Sequence, residues 1–209
     1  MQKIDKLGSM PFETAKSFKK YQTKNWGEIP ETIKAPLRQQ LYDEQRGVCC
    51  YCCKSLGNGN TTIEHLKSRN DYPHKCFDYD NLLLSCRTAK QCDNAKGSQE
   101  LPLTPLMDEC ENEINLNLAG ELESDSERGL ESIEILKLNN RQIRNWRKSL
   151  IDTISFVFDP TQSNSPPIGI QDPQTLKLML DSCLDLNQKY ELEYIVKKRA
   201  HLRFCVTAI

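Results

Sequence analysis

A chain of 209 residues with a 38% hydrophobic share can bury a genuine core but is short for two large independent domains. Its 28 lysines and arginines against 29 acids give a net charge of −1, which excludes the overall basic character of many nucleic-acid binders and leaves only local charge as a clue. The longest apolar runs, Leu82-Leu83-Leu84 and residues 154–158, are far too short to cross a bilayer. The start MQKIDKLGSM has no apolar segment behind its lysines, so the expectation is a cytoplasmic protein with no secretory signal and no membrane partner.

In chain order, Lys16, Lys19, Lys20 and Lys24 make the N-terminal part locally basic. From Pro30 onward, Ile33, Leu37 and Leu41 have helical spacing, and Gly47 is placed to end that helix. The GNGN stretch at 57–60 reads as a turn before Thr61-Thr62-Ile63, a β-branched run that predicts a short strand leading into Glu64-His65. Residues 81–85 could be its partner strand, and DNAKGSQE before Pro102 and Pro105 leaves room for one short helix. Residues 100–134 carry eleven acids against the single base Arg128, and alternation around Ile114, Leu116 and Leu118 predicts a hairpin or an irregular acidic arm. The following segment offers Lys137, Arg141, Arg144, Arg147 and Lys148 without an acid, a stretch that could meet phosphates. Residues 133–158 read as one long helix with Ile143, Trp146, Leu150 and Ile154 on its apolar face. A proline-rich loop over 159–173 and a final helix from Gln174 to about Arg203, broken near Asp185, complete an α+β, mostly helical chain.

Seven of the ten cysteines lie between Cys49 and Cys92. In a reducing compartment such clustering points to metal before disulfides. Thiolate ligands to zinc often sit two residues apart, because a tight turn can then aim both sulfurs at one ion. The stretch Cys49-Cys50-Tyr51-Cys52-Cys53 holds two such pairs, and spacing cannot choose between Cys49 with Cys52 and Cys50 with Cys53. Cys86 and Cys92 would complete a structural four-sulfur Zn2+ site, the alternatives being ordinary buried cysteines or a redox dithiol. Tyr51 is expected to pack against this turn.

Between and after these cysteines come Ile63-Glu64-His65, Asp80-Asn81-Leu82-Leu83-Leu84-Ser85-Cys86 and Cys92-Asp93-Asn94-Ala95-Lys96-Gly97. In this order they resemble the HNH, or ββα-metal, nuclease superfamily, and more closely the PtuB family of the Septu anti-phage systems, some of them retron-associated. The likeness covers roughly residues 33–102. It implies a metal-dependent endonuclease, with DNA as the favoured substrate and RNA such as tRNA as the alternative. It divides the chain into an N-terminal helical segment (1–46), a zinc-braced HNH core (47–100) and an acidic arm with a helical region for partner docking (101–209).

By that resemblance His65 would be the general base, a role that suits a neutral histidine at neutral pH. Glu64 with Asp93 or Asn94 would hold one catalytic Mg2+ or Mn2+, hard ions that prefer oxygen ligands. Asn81 would brace the loop beside the base, and Lys96 would touch a phosphate. The implied partners are nucleic acid, a PtuA-like ATPase of the ABC or SMC type, and in some systems a retron reverse transcriptase with its DNA–RNA hybrid. The lack of any GxxxxGK[ST] loop leaves ATP chemistry to such a partner. Two positions depart from the pattern: no proline follows in His65-Leu66-Lys67-Ser68, and the third motif residue is an acid or amide instead of histidine. A noncatalytic zinc-binding interaction module is the rival from another class.

Overall fold

In the computed structural model, which describes residues 1–21, 25–57, 61–157, 161–162, 169–170, 173–183 and 185–202, helices outweigh short strands in an α+β arrangement. Helix α1 (Phe12–Tyr21) buries Thr14 and Phe18 and leaves Lys16, Lys19 and Lys20 exposed, while Lys24 lies outside the described residues. Helix α2 (Glu31–Glu44) buries Leu37 and Leu41, one helical turn apart on its inner face. It ends where Arg46 and Gly47 take left-handed φ of 52° and 70°, a conformation that glycine adopts without steric cost. Gln45, buried at this end, accepts from the Leu84 amide (2.6 Å) and donates to the Val48 and Leu84 carbonyls (2.9 and 2.8 Å). One side chain thus ties the helix end both to the cysteine turn and to the sheet.

Strands β1 (Thr61–His65) and β2 (Leu82–Cys86) pair antiparallel, with Thr61 opposite Cys86 and His65 opposite Leu82. This register puts a cysteine at one end of the ribbon and the histidine at the other. Every β2 residue is buried, and β1 passes from half-buried threonines to buried Ile63, Glu64 and His65. Burial on both faces explains why Leu82-Leu83-Leu84 does not alternate with polar residues. Of the expected turn at 57–60, residues 58–60 lie outside the described residues. Helix α3 (Asp93–Lys96) follows β2, so the order across this region is strand, strand, short helix.

The acidic stretch contains helix α4 (Cys110–Glu113) and a hairpin of β3 (Asn115–Leu116) with β4 (Leu122–Glu123). The Asn117 carboxamide closes its turn by accepting from the Ala119 and Glu121 amides (2.9 and 3.0 Å). Helix α5 (Glu127–Ile135) starts at Ser126, whose hydroxyl accepts from the Gly129 amide at 3.1 Å.

The single helix expected over 133–158 is in fact two, α5 and α6 (Arg141–Ser155). Lys137 breaks the run with a left-handed φ of 51°, the Leu136 carbonyl accepts from the Cys92 amide (3.0 Å), and Asn140 Oδ1 caps α6 through the Gln142 and Ile143 amides (3.1 and 3.2 Å). Leu136 and Leu138 are fully buried inside the break, so apolar periodicity runs straight through it.

Strands β5 (Phe156–Val157) and β6 (Gly169–Ile170) pair antiparallel, and most of the loop expected over 159–173 lies outside the described residues. Helices α7 (Pro173–Asp181) and α8 (Leu186–Leu202) are separated near Asp185, and α8 packs on α6, α7 and β3. Buried residues from Met1 to Ile195 form one connected core. Within the basic segment Lys137 pairs with Glu134, Arg144 with Glu121 and Lys148 with Asp152, Arg147 is buried, and Arg141 stays exposed. No helix among the described residues is long and apolar enough to cross a membrane.

Candidate metal centre and active site

The sulfurs of Cys49, Cys52, Cys86 and Cys92 lie within 4.8 Å of one another, all buried. A tetrahedral ion with bonds of about 2.3 Å needs sulfurs roughly 3.8 Å apart, so small side-chain movements would suffice to bind one. The backbone explains the choice of pair. Cys49 donates its amide to the Lys54 carbonyl (2.9 Å) and accepts from the Cys53 amide (3.0 Å), while the Cys50 amide goes to Leu84 of β2 (3.0 Å). This turn brings Cys49 and Cys52 to the β2 and α3 cysteines and leaves Cys50 and Cys53 buried outside the cluster.

The sulfurs already receive hydrogen bonds: the Cys86 amide donates to Cys49 Sγ (3.3 Å) and Gln91 Nε2 to Cys92 Sγ (3.5 Å). Burial alone would push the Cys49 thiol up, but its cysteine neighbours donate to it and hold it well below the ordinary thiol range. Burial keeps Cys53 protonated, pushed up to about 11. A buried cluster of four cysteines, with the Cys49 and Cys86 thiols both held below the ordinary range, fits a thiophilic structural ion such as Zn2+.

Tyr51 sits inside this turn, between Cys50 and Cys52, fully buried. Its hydroxyl donates to Glu64 Oε1 at 2.7 Å, and Lys96 Nζ reaches the same oxygen at 2.8 Å. Glu64 is therefore no solvated strand-end acid. Asp93 lies beside it, close enough to act on its carboxyl. Burial first, then that contact with Asp93, push the Glu64 carboxyl up to about 8 against the opposing pull of Lys96. Two carboxylates meeting in a partly enclosed site hold a proton between them or accept a cation.

His65 follows on the same strand and is 5% exposed. Its Nε2 lies 3.1 Å from the Cys76 carbonyl, which can only accept, so Nε2 carries the proton and Nδ1 keeps the lone pair. The ring stands edge-on to Trp26 at 4.7 Å and 90°, and Trp26 in turn packs with Phe18 and Phe77. Burial, followed by the charge of Arg69, lowers the His65 pKa to about 4, so the imidazole is neutral near pH 7. The N-terminal segment thus supplies the aromatic wall that positions the ring.

Glu64, His65, Asp93, Ser68, Arg69, Asn70, Gly97 and Ser98 line one cleft of about 240 Å³. Asn81 does not reach it. Its Oδ1 accepts from the Lys67 amide (2.7 Å), and its Nδ2 donates to the Lys67 and Lys75 carbonyls (3.0 Å each), pinning the loop after His65. Ser68 adds to this by accepting from the Asn70 and Asp71 amides (3.1 and 3.3 Å). The loop is held by these side chains without a proline.

Function must be inferred from this geometry. No protein-family model matches the chain, and no curated protein matches it either.

The geometry changes two of the expected roles. Lys96 is 1% exposed, with its ammonium on Glu64, on the His65 carbonyl (3.0 Å) and on the Gly97 carbonyl (3.4 Å). It has no route to a phosphate from there, because a buried carboxylate and the one-turn helix α3 draw it inward. It is a positioning residue that locks α3 to β1. Asn94 points away from the carboxylate pair, donating to the Thr88 carbonyl at 3.2 Å, which leaves Asp93 as the acid beside Glu64. Arg69, which the sequence reading passed over, is the exposed cation on the cleft. Its position five residues after Glu64, on the loop that Asn81 fixes, was the available signal.

Proposed function

We propose that the chain is a metal-dependent endonuclease of the HNH type that hydrolyses phosphodiester bonds in nucleic acid, DNA foremost. The observation that carries this reading is a neutral histidine with a free Nδ1 lining the same cleft as a carboxylate pair, Glu64 and Asp93. In the reaction His65 Nδ1 takes a proton from water as the water oxygen bonds to phosphorus, the P–O bond to the leaving oxygen breaks, and that oxygen takes a proton from solvent. The Nε2 hydrogen bond to Cys76 and the Trp26 edge hold the ring for that transfer. Glu64 and Asp93 would hold Mg2+ or Mn2+, which supplies positive charge against the developing negative charge. Lys96 and Tyr51 fix Glu64 from its far side. By resemblance the enzyme serves an anti-phage system beside an ABC or SMC-type ATPase. The test is cleavage of phage DNA and cellular RNA in parallel, with Mg2+ or Mn2+ and with that ATPase present. Divalent-dependent fragments support the reading, and intact substrates under every condition contradict it.

Two further results are expected from the cleft. Arg69→Ala should raise KM for nucleic acid by about tenfold, leave kcat nearly unchanged and reduce the salt dependence of binding by about one phosphate contact. Kinetics over a KCl series would read this, and an unchanged KM would remove Arg69 from substrate binding. The second concerns pH. Because the Glu64 pKa is raised to about 8, the proton competes with the cation below that value. Apparent Mn2+ affinity should therefore rise by up to about tenfold per pH unit toward about pH 8 and level off above it. Calorimetric titration from about pH 6 to about pH 9 checks the sign, and affinity flat across that window would show that no proton is displaced.

A further inference from the structure

We propose that Arg147 is the counter-charge of the four-cysteine metal centre, so that filling the centre and seating helix α6 are one coupled event. The proposal rests on metal binding by the cysteines and is independent of the nuclease reading.

Arg147 lies in the middle of α6 and is fully buried. Its guanidinium donates only to neutral acceptors: the Gly120 carbonyl at 2.7 Å, the Leu138 carbonyl at 2.6 Å and Asn139 Oδ1 at 3.1 Å. The remaining nitrogen, Nη1, has no hydrogen-bond partner among the described residues. Arg147 forms no ion pair with any carboxylate among them either. A guanidinium cannot shed its proton, and a charge buried without an opposite charge is costly, so the fold must supply negative charge from elsewhere.

Besides Tyr194, the groups near enough to act on Arg147 if they ionise are Cys52, Cys53 and Cys92, and two of these belong to the four-sulfur cluster. Tyr194 offers no anion, since burial holds its phenol un-ionised. A thiol is uncharged, but the same sulfur bound to a divalent ion is a thiolate, and four of them around one ion leave a net charge of about −2. The loaded centre is thus the negative group that a buried Arg147 lacks.

The covalent and hydrogen-bonded path between the two is short. The Cys92 amide donates to Leu136, and Gln91, which donates to Cys92 Sγ, accepts from Asn140 Nδ2 at 2.8 Å. Leu136 and Asn140 bracket the α5–α6 break, and Arg147 grips Leu138 and Asn139 inside it. Arg147 also holds Gly120 of the β3–β4 hairpin, where a Cβ would lie 2.5 Å from the Arg144 carbonyl, so hairpin and helix are in close backbone contact. The metal centre is linked to the break through Cys92 and Gln91, and Arg147 links that break to the hairpin and α6.

The test compares wild type, Arg147→Lys and Arg147→Met for zinc per chain, rate of zinc loss to a chromogenic chelator, and amide exchange over residues 141–155. Charge compensation predicts that R147M loses zinc roughly 10- to 100-fold faster than wild type, with faster exchange in α6. R147K, which keeps the charge but cannot make all three hydrogen bonds, should stay closer to wild type. R147M holding zinc as wild type does would overturn the proposal. So would R147K losing it as fast as R147M, which would make Arg147 a hydrogen-bonding strut. If R147M does not fold, wild type decides: adding zinc to stripped protein should slow α6 exchange at least about tenfold. No change on adding zinc, or no zinc uptake at all, sinks it.

Discussion

Cys52→Ser, or removal of the ion by a strong chelator, is expected to lower the melting temperature by more than about 10 °C and to abolish any cleavage together with it. Structural zinc contributes on the order of 10 kcal/mol to a small domain, and each kcal/mol is about 2–4 °C in a chain of this size. The effect should spread because of where the cysteines sit. Cys49 and Cys52 hold the turn after α2, Cys86 ends β2, and Cys92 begins α3. Losing the ion unties the elements that carry Glu64, His65 and Asp93. Tyr51 makes the link direct, since the residue between the two ligand cysteines of this turn holds Glu64 by its hydroxyl. Cys50→Ser is the control, because Cys50 is buried in the same turn but outside the cluster. It should keep its metal and lose only about 1–2 kcal/mol for a buried hydroxyl. Metal content and thermal melts of the two variants give the comparison, and equal metal loss in both would refute the choice of Cys49 and Cys52.

Much of the local order was legible because short-range patterns determine it. The apolar spacing of Ile33, Leu37 and Leu41, the glycine after them, and the β-branched run before Glu64 each describe a single element. The α5–α6 break was hidden because buried Leu136 and Leu138 continue the periodicity while Lys137 turns the chain. Which cysteines cluster could not be read from spacing, since both candidate pairs have the same separation and only the contacts of the turn with β2 distinguish them. Lys96 was misjudged because a lysine near a phosphate-handling motif reads as a substrate contact until a buried carboxylate is found beside it. Trp26, which stands against His65, and Phe18 behind it lie more than 35 residues earlier, and no local pattern connects them to it.

His65→Ala is expected to lose about 10²- to 10⁴-fold in kcat while the fold is kept, the range for removing a general base. The loss should fall on the chemical step, because His65 is 5% exposed and has little surface to offer a substrate. Substrate affinity should be retained, since the exposed cation Arg69 stays in place. Folding should survive with a modest penalty, as the missing ring leaves a small void against Trp26 and frees the Cys76 carbonyl.

If a metal-braced scaffold presents His65 as a base to a phosphodiester, removing the imidazole must stop cleavage without disturbing the metal. Wild type and His65→Ala, each first shown to carry the same zinc per chain, are assayed for Mg2+- or Mn2+-dependent cleavage of one labelled nucleic acid. Wild type should cleave, and the variant should lose at least about 100-fold at equal zinc. Equal cleavage by both proteins would contradict this role for His65.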